Sequence, residues 1–188
     1  MDHTDHVGLI RDGVIGAGPR WLELGAGRGA FTLALADLLG EGADIVAVDR
    51  DPGELAALQE TMTARFPASQ LATTVADFSR ALPLHPGFDG LLAANALHFV
   101  RDPAAVITRV RPLLKPGGRV LVVEYDADRG NPWVPHPFSF LTWQSLSAEA
   151  GLVATRQIGR VPSRFLGAIF AAVSDLPTRQ ATSTTDSS

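Results

Sequence analysis

Apolar runs and amphipathic segments alternate along most of the chain, a pattern typical of parallel strands joined by helices. The predicted strands are 20–24, 45–48, 71–76, 88–94, 119–124, 153–161 and 165–173. Only Pro162, Ser163 and Arg164 separate the last two strands. A parallel crossover needs about a dozen residues or more, so this short link predicts antiparallel pairing of these two strands. The pattern therefore predicts an α/β fold, doubly wound, with helices on both faces of the sheet.

Capping residues indicate where the intervening helices begin and end. Asp51, followed by Pro52 and Glu54, has the residue types and spacing of a helix start. Asp102 precedes a proline in the same way, and the Lys-Pro-Gly-Gly segment 115–118 is a strong stop signal. We therefore predict one helix after Asp51 and another from Asp102 to segment 115–118.

A glycine-rich turn follows the first predicted strand, in the segment Glu-Leu-Gly-Ala-Gly-Arg-Gly at 23–29. Glycine accepts positive φ and has no Cβ, so such a backbone can approach a ligand closely. The free N–H groups at the start of the next helix favour polar or anionic ligand groups. Asp49 follows about one βα unit later, where the second strand ends. Together these features predict a site for a ligand that contains adenosine.

Composition and charge exclude several classes of function. The 188 residues are 46% apolar and 19% charged, which is ordinary for a globular protein. The pattern predicts one domain at 19–174, preceded by an N-terminal arm at 1–18 and followed by a polar tail at 175–188 that we expect to be disordered. The net charge of −4 argues against nucleic-acid binding by counterion release.

Residue types and segments that the sequence lacks exclude further classes of function. The chain has no cysteine, which excludes disulfides, thiolate nucleophiles and thiolate metal ligands. It has no apolar signal-like N-terminus and no run of about 18 apolar residues, so we expect a cytoplasmic protein with no membrane span. His3 and His6 have metal-ligand spacing, but we expect them to be exposed at a frayed terminus. We predict no metal site.

Five segments, in order along the chain, resemble motifs of the class I S-adenosylmethionine-dependent methyltransferases. They are the glycine-rich segment 23–29, Asp49, the Asp-Phe pair 77–78, the Asn-Ala-Leu-His segment 95–98 and the Leu-Lys-Pro-Gly-Gly-Arg segment 114–119. The resemblance covers about 21–173 and includes the closing antiparallel hairpin. It implies a Rossmann-like, seven-stranded, mostly parallel sheet in the order 3-2-1-4-5-7-6, with strand 7 antiparallel.

The resemblance also implies a cofactor, S-adenosylmethionine, with S-adenosylhomocysteine as its product. The residues implied to bind it are Glu23, Gly25, Ala26, Gly27, Gly29, Asp49, Arg50, Asp77, Phe78, Ala94 and Asn95. The glycine turn would hold the methionine and ribose portion, with Glu23 orienting loop amides or reaching the ligand's ammonium group. Asp49 would accept from the ribose hydroxyls, and Asp77 from the adenine amino group. Backbone carbonyls at 94 and 95 would hold the ammonium group.

A second set of residues is predicted to face the methyl acceptor: His98, Glu124, Tyr125, Asp126, Trp133 and His136. His98 can act as a base or bind substrate, or it can be a helix-start histidine packed under the sheet edge. Residues 124–126 either contact substrate or end the fifth strand. The proline-rich loop with Trp133, His136 and Phe138 either covers a flat or apolar acceptor or is fixed to the core by its aromatic side chains.

Two other classes of function compete with the methyltransferase. The segment Gly-Ala-Gly-Arg-Gly-Ala at 25–30 also fits the dinucleotide fingerprint of an NAD(P)-dependent oxidoreductase. Against it stand the acid before the first glycine, Asp77 and the final hairpin. A non-catalytic protein that binds the same cofactor is the second alternative. For the acceptor we expect a small molecule first and a protein side chain second, at a site closed by the loop or by a second subunit in a homodimer.

Overall fold

The structure, a computed structural model, describes residues 1–178. The strands are β1 Arg20–Leu24, β2 Asp44–Asp49, β3 Gln70–Val75, β4 Phe88–Ala94, β5 Leu114–Tyr125, β6 Val153–Ser163 and β7 Gly167–Asp175. The helices are α1 His3–Val14, α2 Ala30–Leu39, α3 Pro52–Arg65, α4 Pro103–Val110 and α5 Phe140–Glu149. In this part of the chain, no helix combines the length and the apolar character needed to cross a membrane.

All seven strands form one sheet in the order β3-β2-β1-β4-β5-β7-β6, which confirms the predicted order. The first five strands run parallel, and β7 pairs antiparallel with both β5 and β6. The strand order reverses between β1 and β4, so the segments that leave these strands diverge. In open α/β sheets such a reversal creates a crevice at the carboxyl ends of the strands, where ligands bind.

The central strands are buried on both faces, as a parallel sheet between two helical layers requires. In β1 the last four residues, 21–24, are at most 2% exposed. Helices α1, α2 and α3 pack on one face of the sheet and form one apolar core with it. Helices α4 and α5 pack on the opposite face of the sheet and form the second apolar core. The fold is therefore doubly wound, as predicted.

The N-terminal arm is a helix, α1, where the sequence analysis predicted no regular element. Asp2 and Asp5 form a capping box that fixes its start. The buried side chains that recur at helical spacing are Val7, Ile10 and Val14. They pack against α2 and against the sheet, so α1 is part of the core.

The two histidines of α1 are half-buried, so the prediction that they are exposed was wrong. His3 Nε2 lies 2.9 Å from a carboxylate oxygen of Asp37 in α2. The ring centroid of His6 lies 4.7 Å from that of Phe31, and burial lowers the pKa of His6. Both rings are held by contacts with α2 because the capped helix orders the terminus.

Several further boundaries differ from the prediction, among them the turn between the last two strands, which is 164–166 and not 162–164. The helix predicted to end at 115–118 ends at Val110, because the ring of Pro112 cannot continue an α-helix and a short 3-10 turn follows. Segment 115–118 instead lies within β5, and Gly117 N–H donates to Leu176 O beside β7. Asp175, where we placed the start of the tail, still belongs to β7, and residues 179–188 lie outside the described residues.

Candidate active site

The glycine turn between β1 and α2 is fixed against the end of β2. The N–H groups of Gly25 and Ala26 both donate to the carbonyl of Val48, at 2.8 and 3.1 Å. Gly25 and Gly29 have φ of +71° and +86°, and an added Cβ would lie 2.7 Å from Ala96 Cβ and 2.1 Å from Leu58 Cδ1, respectively. Glycine is therefore required at both positions by backbone conformation and by packing.

Gly27 differs from Gly25 and Gly29 because the position that a Cβ atom would occupy is in open space. Its φ is +51°, and an added Cβ would meet no atom within 4 Å. Its N–H donates to Asp49 Oδ2 at 2.8 Å, while Asp49 Oδ1 accepts from Asp51 N at 3.0 Å. Asp51 caps α3 through Gly53 N, as predicted, so Asp49 has no capping role there. Asp49 thus ties the glycine turn to the end of β2.

A cavity of about 410 Å³ opens beside this turn at the carboxyl edge of the sheet. This volume is in the range of small-ligand sites. The predicted cofactor residues that line it are Gly25, Asp49, Arg50, Asp77, Phe78 and Asn95. The predicted residues that are not among its lining are Glu23, Ala26, Gly27, Gly29 and Ala94. The structure thus brings together residues from the ends of β1, β2, β3 and β4.

Asp77 and Phe78, which follow β3, form one wall of the cavity. Asp77 Oδ1 accepts from Ser79 N at 2.9 Å. Hydrogen bonds from Ser79 lower the pKa of Asp77, and the nearby Arg80 lowers it further. The carboxylate is therefore charged at neutral pH and acts only as an acceptor. The Phe78 ring lies against Gly25, where an added Cβ would come within 3.3 Å of its Cε1 atom.

Asn95, at the end of β4, has two features that packing alone does not explain. Its φ of +50° lies in the left-handed region, which is uncommon for a residue other than glycine. Its side-chain Oδ1 is buried and has no hydrogen-bond partner in the described residues. Native structures pair almost all buried polar atoms, so an unpaired oxygen in a cavity wall indicates a ligand group.

Glu23 does not reach the glycine turn or the cavity. Its side chain is buried, and its carboxyl accepts from Thr32 Oγ1 on α2. Burial raises the pKa of Glu23 to about 8, with the hydrogen bond from Thr32 opposing this rise and the charge of Asp49 adding to it. The group therefore links β1 to α2 in a largely protonated form at neutral pH.

We expect Glu23 to make the free energy of unfolding fall as pH rises from about 5 to 8. The folded state keeps the Glu23 proton up to pH about 8, whereas the unfolded chain releases it near pH 4.5. Between these values the folded state binds more protons, so its stability decreases with pH by an amount on the order of a few kcal/mol. Urea denaturation at several pH values measures this slope. Glu23→Gln is the control, and an equal slope in both proteins would contradict the assignment.

Glu124 near the end of β5 and His98 in the turn after β4 form a buried, hydrogen-bonded pair. Glu124 Oε1 accepts from the backbone N–H groups of Ala96, Leu97 and His98, at 2.9, 2.8 and 3.3 Å. Its Oε2 atom lies 2.8 Å from His98 Nδ1. Glu124 is fully buried and His98 is 3% exposed. One carboxylate therefore caps the turn after β4 and also orients the imidazole.

The pair of His98 and Glu124 lies next to the cavity. Ala96, Phe99 and Val100 line the cavity, so His98 is within one residue of its wall on the same turn. With Nδ1 donating to Glu124, the free electron pair of the neutral ring is on Nε2, which has no protein partner in residues 1–178. This arrangement can accept a proton at Nε2 while the carboxylate stabilises the resulting cation.

The two residues after Glu124 have different surroundings. Tyr125 is half-buried, and its ring meets that of His98 edge-on at 5.6 Å. Burial raises the pKa of Tyr125, and the charge of Glu124 raises it further. Asp126 Oδ2 lies 2.8 Å from Arg160 Nε, and its Oδ1 accepts from Phe140 N at the start of α5. Asp126 is thus occupied by structural contacts, whereas Tyr125 remains beside the histidine.

The proline-rich loop after β5 is attached to the core near Phe138 and His136. Phe138 is buried and stacks on Trp143 at 5.6 Å, so this end of the loop is fixed to the core. His136 N donates to His98 O at 3.0 Å, which ties the loop to the turn after β4. Trp133 is 72% exposed and makes no such attachment. The loop is therefore attached at both ends, by Asp128 to the start of α5 and by His136 to the turn after β4, and Trp133 between them is exposed.

The sequence analysis missed several residues of the cavity wall. They are Asp51, Ala76, Ser79, Ala96, Phe99 and Val100. Each of these residues lies within a few positions of a predicted strand end. Proximity to a strand end is therefore the sequence signal that could have identified them as cavity residues. Phe99 and Val100 have apolar side chains that are equally typical of a core, and only the turn after β4 exposes them to the cavity.

The strand order, the reversed last strand and the glycine turn beside a carboxyl-edge cavity define the class I methyltransferase fold. The chain belongs to the methyltransferase domain family, whose model matches residues 22–120, more than half of its length. The predicted family is thereby confirmed, and it favours the methyltransferase over the oxidoreductase alternative.

Individual proteins agree with this family. An uncharacterized methyltransferase of Mycobacterium tuberculosis is 38% identical over 121 residues, which are 63% of this chain and 44% of that protein. Fumosorinone synthetase of Cordyceps fumosorosea is 36% identical over 112 residues, 55% of this chain and 3% of the synthetase. The chain thus spans less than half of either relative. The crystal structure of the CurJ carbon methyltransferase shares the fold, with a TM-score of 0.70 over 87% of this chain and 50% of that one, at 20% identity.

Proposed function

We propose that the chain binds S-adenosylmethionine in the carboxyl-edge cavity and transfers its methyl group to a small molecule, from which His98 removes a proton. The observation that carries this proposal is the buried pair of His98 and Glu124 beside the cavity. A histidine oriented by a carboxylate is a recurring general base in enzymes.

The residues of the cavity suit this cofactor. The unpaired Oδ1 of Asn95 offers an acceptor for the ammonium group of the methionine portion. The carboxylate of Asp49 suits two neighbouring hydroxyl groups, as a ribose presents. The charged Asp77 is an acceptor for the amino group of adenine, and the Phe78 ring gives an apolar wall. At Gly27, beside these groups, the space that a side chain would occupy is open.

When bound, S-adenosylmethionine supplies an electrophilic methyl group on a sulfonium sulfur. His98 Nε2 takes the proton that the acceptor loses, and Glu124 holds the ring in the required tautomer and stabilises its positive charge. The remaining contribution of the protein is proximity and orientation, because the acceptor atom must lie in line with the methyl group.

A base of this kind favours an acceptor that loses a proton as it is methylated. A hydroxyl group or an acidic carbon beside a carbonyl group meets this condition, whereas a thioether sulfur does not. Of the two, we propose the acidic carbon. The support is that one solved structure with this fold is a carbon methyltransferase.

Calorimetric titration with S-adenosylmethionine, S-adenosylhomocysteine, NAD⁺ and NADP⁺ tests the cofactor. We expect micromolar binding of the first two and none of the last two. Turnover is then measured with acetoacetyl N-acetylcysteamine, a small carbonyl compound with an acidic carbon. Binding of the first two ligands without methylation of this probe would contradict the acidic carbon as the acceptor, and a further lack of turnover with hydroxyl acceptors would favour a non-catalytic protein.

Asp49→Ala should weaken binding of S-adenosylhomocysteine by about 1–3 kcal/mol, the cost of losing hydrogen bonds to a charged group. Calorimetry measures the change. Asp44→Ala is a matched control, since Asp44 is a half-buried acid at the opposite end of the same strand, paired with Arg20. Asp49→Asn keeps an oxygen that can accept from Gly27 N but removes the negative charge. It therefore separates the contribution of the hydrogen bond to the glycine turn from that of the charge. Unchanged affinity in Asp49→Ala would remove Asp49 from the site.

A further inference from the structure

The largely exposed aromatic side chains of the described residues lie in segments at the same edge of the sheet as His98. Among Phe, Trp and Tyr, the largely exposed ones are Phe99, Trp133 and Phe165, at 56%, 72% and 65%. They lie in the turn after β4, the loop after β5 and the turn between β6 and β7. All three segments are at the carboxyl edge of the sheet. Grouped exposed apolar side chains of this kind indicate a binding surface.

Two of these segments, the turn after β4 and the turn between β6 and β7, are connected through Tyr125 at the end of β5 by a continuous row of rings. We call it the aromatic row: Phe99, His98, Tyr125 and Phe165. Successive ring centroids lie 4.2, 5.6 and 6.5 Å apart. These separations are within the range of direct ring contact. The row begins in the wall of the cavity at Phe99 and ends at the exposed Phe165.

The strand register explains why Phe165 reaches this position. Tyr125 at the end of β5 pairs with Ile169 of β7, and Ser163 pairs with Gly167 across the hairpin. The turn 164–166 therefore projects beyond the end of β5, on the side of Tyr125. The Phe165 ring is 65% exposed there, so its burial contributes little to the stability of the fold and most of its apolar surface is available to a ligand.

We propose that the aromatic row binds the apolar tail of the methyl acceptor and that Phe165 gives the enzyme its preference for a long tail. The inference rests on the proposed function, because His98 lies within the row and also removes the proton. An acceptor with its reactive carbon at His98 would extend its tail over Tyr125 to Phe165. The acceptor class is then a carbonyl compound that carries an extended apolar chain.

The test measures binding of two probes that differ only in tail length, butanoyl and decanoyl N-acetylcysteamine thioesters. Calorimetry is done on the full chain, with and without S-adenosylhomocysteine. We expect the wild type to bind the decanoyl probe about tenfold more tightly, as burial of part of a long apolar chain allows. Phe165→Ala should bring the two affinities within about twofold of each other. Ile15→Ala is the control, because Ile15 is a 56% exposed apolar residue at the amino edge of the sheet.

Two results would overturn the proposal: equal affinity of the wild type for both probes, or an unchanged preference for the decanoyl probe in Phe165→Ala. Because Phe165 is exposed, its replacement should leave the thermal midpoint unchanged, which separates lost binding from lost folding. A protein that shows the tail preference but binds no S-adenosylhomocysteine would contradict the proposed function while supporting the aromatic row. The failures of the two proposals are thus distinguishable.

Discussion

His98→Ala should lower kcat for methyl transfer by about 10²- to 10⁴-fold, the usual contribution of a general base. The imidazole is the group beside the cavity that is oriented by a buried carboxylate and has a free nitrogen for a proton. The affinity for S-adenosylhomocysteine should stay close to that of the wild type, because the cavity wall is formed by the neighbouring Ala96, Phe99 and Val100. Single-turnover kinetics with saturating S-adenosylmethionine measure the chemical step directly.

His98→Asn is the matched control for folding in this experiment. The asparagine amide can donate to Glu124 in place of Nδ1, so the carboxylate keeps a partner, but it cannot accept a proton. We therefore expect a thermal midpoint near that of the wild type and a kcat as low as that of His98→Ala. A His98→Asn protein with the rate of the wild type would show that the histidine has only a structural role.

Glu124→Ala should lower the free energy of unfolding by about 3–5 kcal/mol, the cost of breaking a buried pair. The change removes the acceptor of three backbone N–H groups and the partner of His98, all in a site closed to water. Urea denaturation followed by circular dichroism measures the loss. We expect kcat to fall as well, because the imidazole loses its fixed orientation.

Glu124→Gln separates the two roles of this carboxylate. A glutamine oxygen can still accept from the backbone N–H groups, so most of the stability should return. The neutral amide does not stabilise a protonated imidazole, so kcat should stay low. Equal stability of Glu124→Ala and the wild type would mean that the turn after β4 does not depend on this carboxylate.

The sequence predicted the central part of the fold well because its signals are local. β4 has the predicted bounds, since an apolar run is enclosed by Gly87 and Asn95. Asp51 caps α3 as its spacing with Pro52 predicts. α1 was missed because its apolar positions are few and glycines interrupt them, so packing against α2 and the sheet decides its structure.

The site was predicted less completely, because its geometry depends on contacts between distant residues. Glu124 and His98 are 26 positions apart, and nothing local indicates that one carboxylate caps the turn and binds the ring. Both residues were candidates because each follows the end of a strand. Phe165 was not a candidate, since its place beside Tyr125 follows from the register of β5 with β7.

The hydrogen bond from Gly27 N to Asp49 has a consequence for the thermodynamics of ligand binding. A glycine-rich segment loses more conformational entropy on ordering than any other, and a ligand that had to order it would bind more weakly. Here the segment is held by Asp49 and by the carbonyl of Val48 through bonds within the protein. The entropy of this turn is thus lost when the chain folds, and a ligand that binds there does not have to order it.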